Sequence, residues 1–426
     1  MGLFSAVALL ITLTALFAYA NERTLRLPTP VGVMLGGLLT SLGLVLFAGT
    51  ALRAWAESTL AGIPFNELFT QGMLSFLLFA GALHVNLADL AEERVPILVL
   101  ATVGVVLSTL AVAGLTYPAL RMIGFDLPIG AALLFGAVIS PTDPIAVLSI
   151  LRRAGVPKSL EALITGESLF NDGVGVVVFT IVLGLATHEA TAPTSAGGVV
   201  GLFLLEAAGG LVFGLLLGWA AYLTLKSVDN YTVEVLITLA VVTGGYVLAQ
   251  SIHTSGPIAM VVAGLLVGNH GRLFAMSDST REHLDTFWEM IDEILNAVLF
   301  VLIGLEVMVV AFTPGHLAAA AIAIPVVLIA RTASVGAPLA ALRLGRSFPQ
   351  GTVRLLTWGG LRGGVSVALA LALPPGPSRD VVVFMTFAVV VFSIIGQGLT
   401  VAPLARRVVS RATAARTRRR GDAPRP

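Results

Sequence analysis

Apolar stretches of about 20 residues recur along the whole 426-residue chain, separated by short polar turns. A run of that length crosses the hydrocarbon core of a bilayer as one helix. Inside lipid, every backbone N–H and C=O must be satisfied internally, so only helices or closed barrels can span it. Crossings are expected at 3–20, 29–48, 68–87, 95–119, 128–151, 160–187, 197–225, 230–252, 255–270, 291–313, 316–342, 350–374 and 379–405, about thirteen in all. The expected fold is an all-α polytopic membrane protein. The opening run, apolar from Leu3 to Ala20 with no basic residue before it, is read as a first span and not as a cleaved signal.

Composition supports the same class. Hydrophobic residues make up 57% and charged residues 12%, against roughly 45–50% and 25% in a soluble domain. The chain has no cysteine, which excludes disulfides and thiolate metal sites, and its six histidines are scattered. No transition metal is expected. Its net charge of +1 gathers the basic residues in loops and a tail and lines no groove, so no nucleic-acid partner is expected. No Walker-type loop is present, and neither a nucleotide nor any other cofactor is called for.

Lysine and arginine orient the chain. With the C-terminus in the cytoplasm, the loop cations and the tail arginines from Arg406 onward lie inside, leaving Arg53, Arg121 and Arg379 outside and Arg331 and Arg362 within spans. The odd number of crossings then puts the N-terminus outside. The tail, 406–426, is expected to be disordered and to touch anionic lipid. The polar stretch Ser277–Glu293 is read as a cytoplasmic interfacial helix, with Phe287, Trp288 and Ile291 toward lipid or protein. Gly210, Gly214 and Gly218, four residues apart, are read as a packing or dimer seam.

Two spans carry carboxylates at depth, which is costly in lipid and marks an ion path. In Ser140-Pro141-Thr142-Asp143-Pro144, two prolines three apart should break the fifth helix and expose backbone carbonyls and amides. Transporters build ion sites at such breaks. On the sixth span Thr165, Ser168 and Asp172 share one face, and Glu167 and Asn171 form the adjacent stripe. This oxygen-rich set suits a hard cation. Trp358-Gly-Gly-Leu-Arg-Gly-Gly-Val-Ser366 predicts a second break around Arg362, in the corresponding position if helices 1–6 and 8–13 are inverted repeats, so that two broken helices cross at the midplane. Buried charges pair, and Glu167 with Arg331 is the expected structural pair. Glu206, Glu234, Glu306, His84 and Asn86 are read as packing or interfacial groups.

At Ser140–Pro144, Gly166–Gly173, Ser255–Gly264, Phe287–Glu306 and Trp358–Gly364 the chain resembles the monovalent cation:proton antiporter-1 family, the sodium/proton exchangers, and its bacterial branch in particular. The resemblance implies a homodimer in the bacterial cell (inner) membrane, serving pH homeostasis. It implies a core bundle (about 95–187 and 316–405) moving against a dimerisation part (about 1–90 and 197–313). It further implies that Asp172 carries proton and cation in turn, and that Asp143, Thr142 and Ser168, beside Asn171, help hold sodium or lithium. Arg362, Pro141 and Pro144 would support the breaks. Some relatives place an acid in the third helix, where this chain reads Phe79-Ala-Gly-Ala-Leu-His84. The pair Asn171-Asp172 is typical of electroneutral members: one titrating carboxylate exchanges one proton for one monovalent cation. Potassium/proton exchange is the alternative within transport. An intramembrane aspartyl protease, also built on two aspartates, is the distant one, and its Gly-x-Gly-Asp signature surrounds neither Asp143 nor Asp172.

Overall fold

The computed structural model describes residues 3–47, 49–61, 68–143, 147–148, 151–152, 154–187, 195–272, 276–306, 313–344, 346 and 348–408. The described chain is all helix: α1 (Leu3–Ala20), α2 (Thr29–Phe47), α3 (Thr50–Ala61), α4 (Leu74–Leu83), α5 (Arg94–Met122), α6 (Ile129–Ile139), α7 (Lys158–Thr187) and α8 (Ala196–Lys226). There follow α9 (Tyr231–Ser251), α10 (Gly256–Leu266), α11 (Asp278–Glu306), α12 (Pro314–Leu342), α13 (Thr352–Gly359), α14 (Gly364–Leu371) and α15 (Pro377–Val391). Among the described residues, seven helices are long and apolar enough to cross a membrane alone, and shorter apolar helices accompany them. Every expected span falls on one of these helices, the fifth and twelfth on broken ones. The last span continues to Val408, past the start of the segment read as tail. Pro144 and the tail beyond 408 lie outside the described residues.

Polar residues start the helices where the spans begin. Ser195, Asn230, Ser255 and Thr313 each accept a hydrogen bond from the first turn of α8, α9, α10 and α12, and Pro257 and Pro314 sit in first turns where no N–H is missed. Two readings need correction. α3 was not marked by hydropathy, because Arg53 and Glu57 interrupt its apolar character while its alanines favour helix. The polar stretch before residue 291 is no separate interfacial helix but the first half of α11, continuous with the span. Trp288 points into protein: it is fully buried, packs against Phe79 with centroids 4.8 Å apart and the rings tilted by 52°, and donates to Thr238 Oγ1 at 3.1 Å.

The glycine row on α8 is an internal seam. A Cβ at Gly210 would come within 2.6 Å of the carbonyl oxygen of Ser255, the cap of α10, and one at Gly214 within 2.6 Å of that of Ala259 in α10, so only glycine allows this approach. On α8, Leu205, Val212 and Leu216 are exposed, as on a lipid-facing surface. α2, α4, α8, α9, α10 and α11 pack among themselves, as do α5, α6, α7, α12 and α15, with α7 also touching α8 and α10.

Candidate functional site

The two helix breaks meet. α6 ends at Ile139 and α13 at Gly359, and between the extended segments that follow, Asp143 N donates to Leu361 O at 2.8 Å in an antiparallel bridge. A proline has no N–H, so Pro144 could not supply the hydrogen bond that a regular helix would give the Ser140 carbonyl. Arg362 takes that place: its Nη1 donates to Ser140 O at 2.5 Å and Pro141 O at 2.9 Å, while its backbone N–H donates to Ser393 Oγ at 2.9 Å. Asp143 lies against Gly363, at the start of α14; a Cβ there would sit 2.3 Å from Asp143 Oδ2. A carboxylate in that position meets the positive end of the α14 dipole.

Behind the crossing, α7 is tied to α12 and to the first break. Arg331 Nη1 and Nη2 donate to Glu167 Oε1 and Oε2, each at 2.8 Å. This two-pronged pair is almost wholly buried, where its desolvation is offset only by good geometry and further hydrogen bonds. Asn171 supplies them. Its Nδ2 donates to Glu167 Oε1 at 3.0 Å and Thr142 Oγ1 at 2.7 Å, and its Oδ1 accepts from Thr142 N at 3.1 Å. Thr142 Oγ1 and Ser168 Oγ are 3.1 Å apart.

In front of the crossing lies a cavity of about 770 Å³. Asp143, Thr165 and Asp172 line it, together with Asp89, Arg152, Lys158 and Glu161. The expected site residues therefore separate into two sets. Asp143 and Asp172 face the cavity, whereas Thr142, Ser168 and Asn171 are buried behind it and bonded to one another. The lining also holds residues not among the expected site residues: Asp285, Glu289, Asp292, Glu293 and Asn296 of α11. Asn296 Nδ2 donates to Asp292 O at 2.8 Å and Asp292 Oδ1 at 3.1 Å. Their three- and four-residue spacing was the available signal, since it puts one acidic stripe on one helix face.

The remaining intramembrane polar groups take various parts. His84 lines the cavity with Nδ1 held 2.8 Å from Ala80 O, Asn86 caps the short helix Leu87–Glu92, and Glu234 accepts from Thr280 Oγ1 at 3.2 Å. Glu206 is half-buried on α8, its carbonyl accepting from Ser255 N at 3.2 Å. Glu306 is the last residue of α11.

Comparison with known proteins agrees with this architecture. The family model described as sodium/hydrogen exchanger, transmembrane, matches residues 11–407. The chain is 50% identical over 409 residues to the Na(+)/H(+) antiporter NhaP of Pseudomonas aeruginosa, covering 94% of this chain and 96% of that one. It is 36% identical over 406 residues to the Na(+)/H(+) antiporter NhaH of Halobacillus dabanensis, with the same coverage. Among solved structures, the sodium proton antiporter MjNhaP1 from Methanocaldococcus jannaschii at pH 8 superposes with a TM-score of 0.74 at 21% identity, over 96% of this chain and 100% of that one. The chain belongs to the sodium/hydrogen exchanger family: it is a multi-pass membrane antiporter, a transporter and not an enzyme.

Proposed function

We propose that this antiporter exchanges sodium or lithium for protons electroneutrally, with Asp172 as the one carboxylate that carries each ion in turn. The carrying observation is how differently the neighbouring acids are placed. Glu167 is taken up by both arms of Arg331, Asn171 is neutral, and Asp143 sits on the first turn of α14. Asp172 faces the cavity on the same helix as all of the α7 groups. A proton or a monovalent cation neutralises it equally, and a neutral site crosses a low-dielectric barrier far more readily than a charged one. Thr142, Ser168 and Asn171 act here chiefly by fixing the break beside Asp172, and Asp143 completes the cation's oxygen shell from across the crossing.

Alternating access follows from the two packed groups. Helices α5–α7 and α12–α15 form the moving core, and the remainder forms a dimerisation part in a homodimer. With N-terminus outside and C-terminus in the cytoplasm of a bacterial cell membrane, the cavity faces the cytoplasm, because its lining includes Arg152 and Lys158, which lie between the fifth and sixth spans on the basic side. The basic tail contacts anionic lipid there.

The test is Asp172→Asn in inverted vesicles, read by dequenching of a pH dye on addition of sodium, lithium or potassium. The amide keeps the shape and cannot titrate. Exchange should vanish while the folded protein remains in the membrane; sodium-dependent dequenching above vector background contradicts the assignment. Dequenching of the native protein by potassium as strong as by sodium would contradict the ion assignment.

A further inference from the structure

A second, much smaller cavity lies behind the crossing, about 10 Å³ in volume, with Arg331, Thr357, Gly360, Arg362 and Gln397 in its wall. Three polar atoms of that wall are buried with no hydrogen-bond partner among the described residues: Arg331 Nε, Arg362 Nη2 and Thr357 Oγ1. Each belongs to a side chain at least nine-tenths buried. Gly360 preserves the space, since a Cβ on it would lie 2.7 Å from Arg331 Nη2 and 2.8 Å from Nε.

The chemistry of this set selects its ligand. Guanidinium nitrogens can only donate, so unpartnered N–H groups in the wall of one small cavity call for an acceptor; a hydroxyl can accept in return. The acceptor must also fit a space of about one probe sphere, the least that holds a water, and a chloride ion is larger.

We propose that this cavity binds a single structural water, which accepts from Arg331 Nε and Arg362 Nη2 and donates to Thr357 Oγ1. Two like-charged guanidinium groups then share an acceptor where they would otherwise face each other with unpaired donors. The water joins the two halves of the site: Arg331 grips Glu167 on α7, and Arg362 grips the carbonyls of the first break. Thr357, in the last turns of α13, anchors the bridge to the second broken helix. The site does not depend on which cation is carried or on which carboxylate carries it.

Two measurements test the proposal. A structure of the full chain in lipid nanodiscs, at a resolution that shows ordered water, should hold one peak within hydrogen-bonding distance of all three atoms. No peak there, or one that bromide replaces in an anomalous map of crystals, overturns it. The second is thermal unfolding of Thr357→Val and Thr357→Ser in detergent. With the water bound, Val removes one of its partners and lowers the melting temperature by several degrees, whereas Ser stays near the native value. Without a water, Val merely replaces an orphaned hydroxyl with an isosteric methyl, so an unchanged or raised melting temperature overturns the proposal.

Discussion

Arg362 of the second broken helix donates to the Ser140 and Pro141 carbonyls of the first, at 2.5 and 2.9 Å. The proline pair thus creates acceptors that an arginine on another element, more than two hundred residues later in the chain, satisfies. Arg362→Leu should leave those carbonyls buried without donors, at about 1–3 kcal/mol each. The same change to Lys should recover part of the loss, because one ammonium can still reach an acceptor. Denaturation of the purified variants in detergent measures both; equal stability of Leu and native proteins would contradict the reading.

Gly363→Ala tests the neighbouring contact. Its methyl would lie 2.3 Å from Asp143 Oδ2 and 2.6 Å from Asp143 Cβ, so the carboxylate or the break must shift. Moving a reacting group by about an ångström costs on the order of 100-fold in other systems. Sodium-driven proton movement should fall at least about tenfold, with Gly376→Ala, which has open space around it, unaffected as a control. Normal exchange by Gly363→Ala would show that Asp143 need not sit where it does.

Glu167 and Arg331 offer a double-mutant cycle. Removing either partner strands a buried charge at a cost of about 3–5 kcal/mol, whereas replacing both with neutral residues of like size costs less. Glu167→Gln with Arg331→Met should therefore be more stable than the worse single variant. Additive losses in the cycle would mean that the pair contributes no coupling.

Much of this site was legible in sequence because intramembrane charge and helix-breaking residues are rare and costly, so each one stands out against an apolar background. Asp143, Asp172, Glu167, Arg331 and Arg362 were visible for that reason. What escaped was geometry that hydropathy does not carry. Asp292 lies at the end of a stretch that reads as interfacial because its acids line a cavity and its Trp288 faces protein, and Asn296 follows one turn later in the span. Thr142, Ser168 and Asn171 are legible as an oxygen-rich set beside Asp172, but only the fold shows that they hydrogen-bond to one another. Helical spacing puts residues on a face; it does not say which neighbour that face meets. The row at Gly210, Gly214 and Gly218 was legible as a seam, but only the fold identifies α10 as its partner.

Glu93, between the fourth span and the short helix before it, gives a pH-dependent prediction. Burial raises its carboxyl above the ordinary range, and the nearby Arg346, whose Nη2 donates to Glu93 Oε1 at 2.7 Å, only partly offsets this. A carboxyl raised on folding binds its proton more tightly in the native state, so its stabilising contribution is present in acid and lost as pH rises through the native value. Relative to the native protein, Glu93→Gln should gain stability between acidic and neutral pH. Melting temperatures of the two proteins across that range check it; a constant difference, or one of opposite sign, contradicts it.

The central claim is that one carboxylate exchanges one proton for one monovalent cation, and the most direct measurement is the voltage dependence of transport in proteoliposomes. With Asp172 the sole exchanging acid beside a neutral Asn171, sodium-driven proton flux should be the same at every valinomycin-set potential, and a solid-supported membrane should show no current beyond a small binding transient. A sustained sodium-evoked current, or a flux that scales with the imposed potential, would contradict the account and show that Asp143 or another acid travels with the cycle.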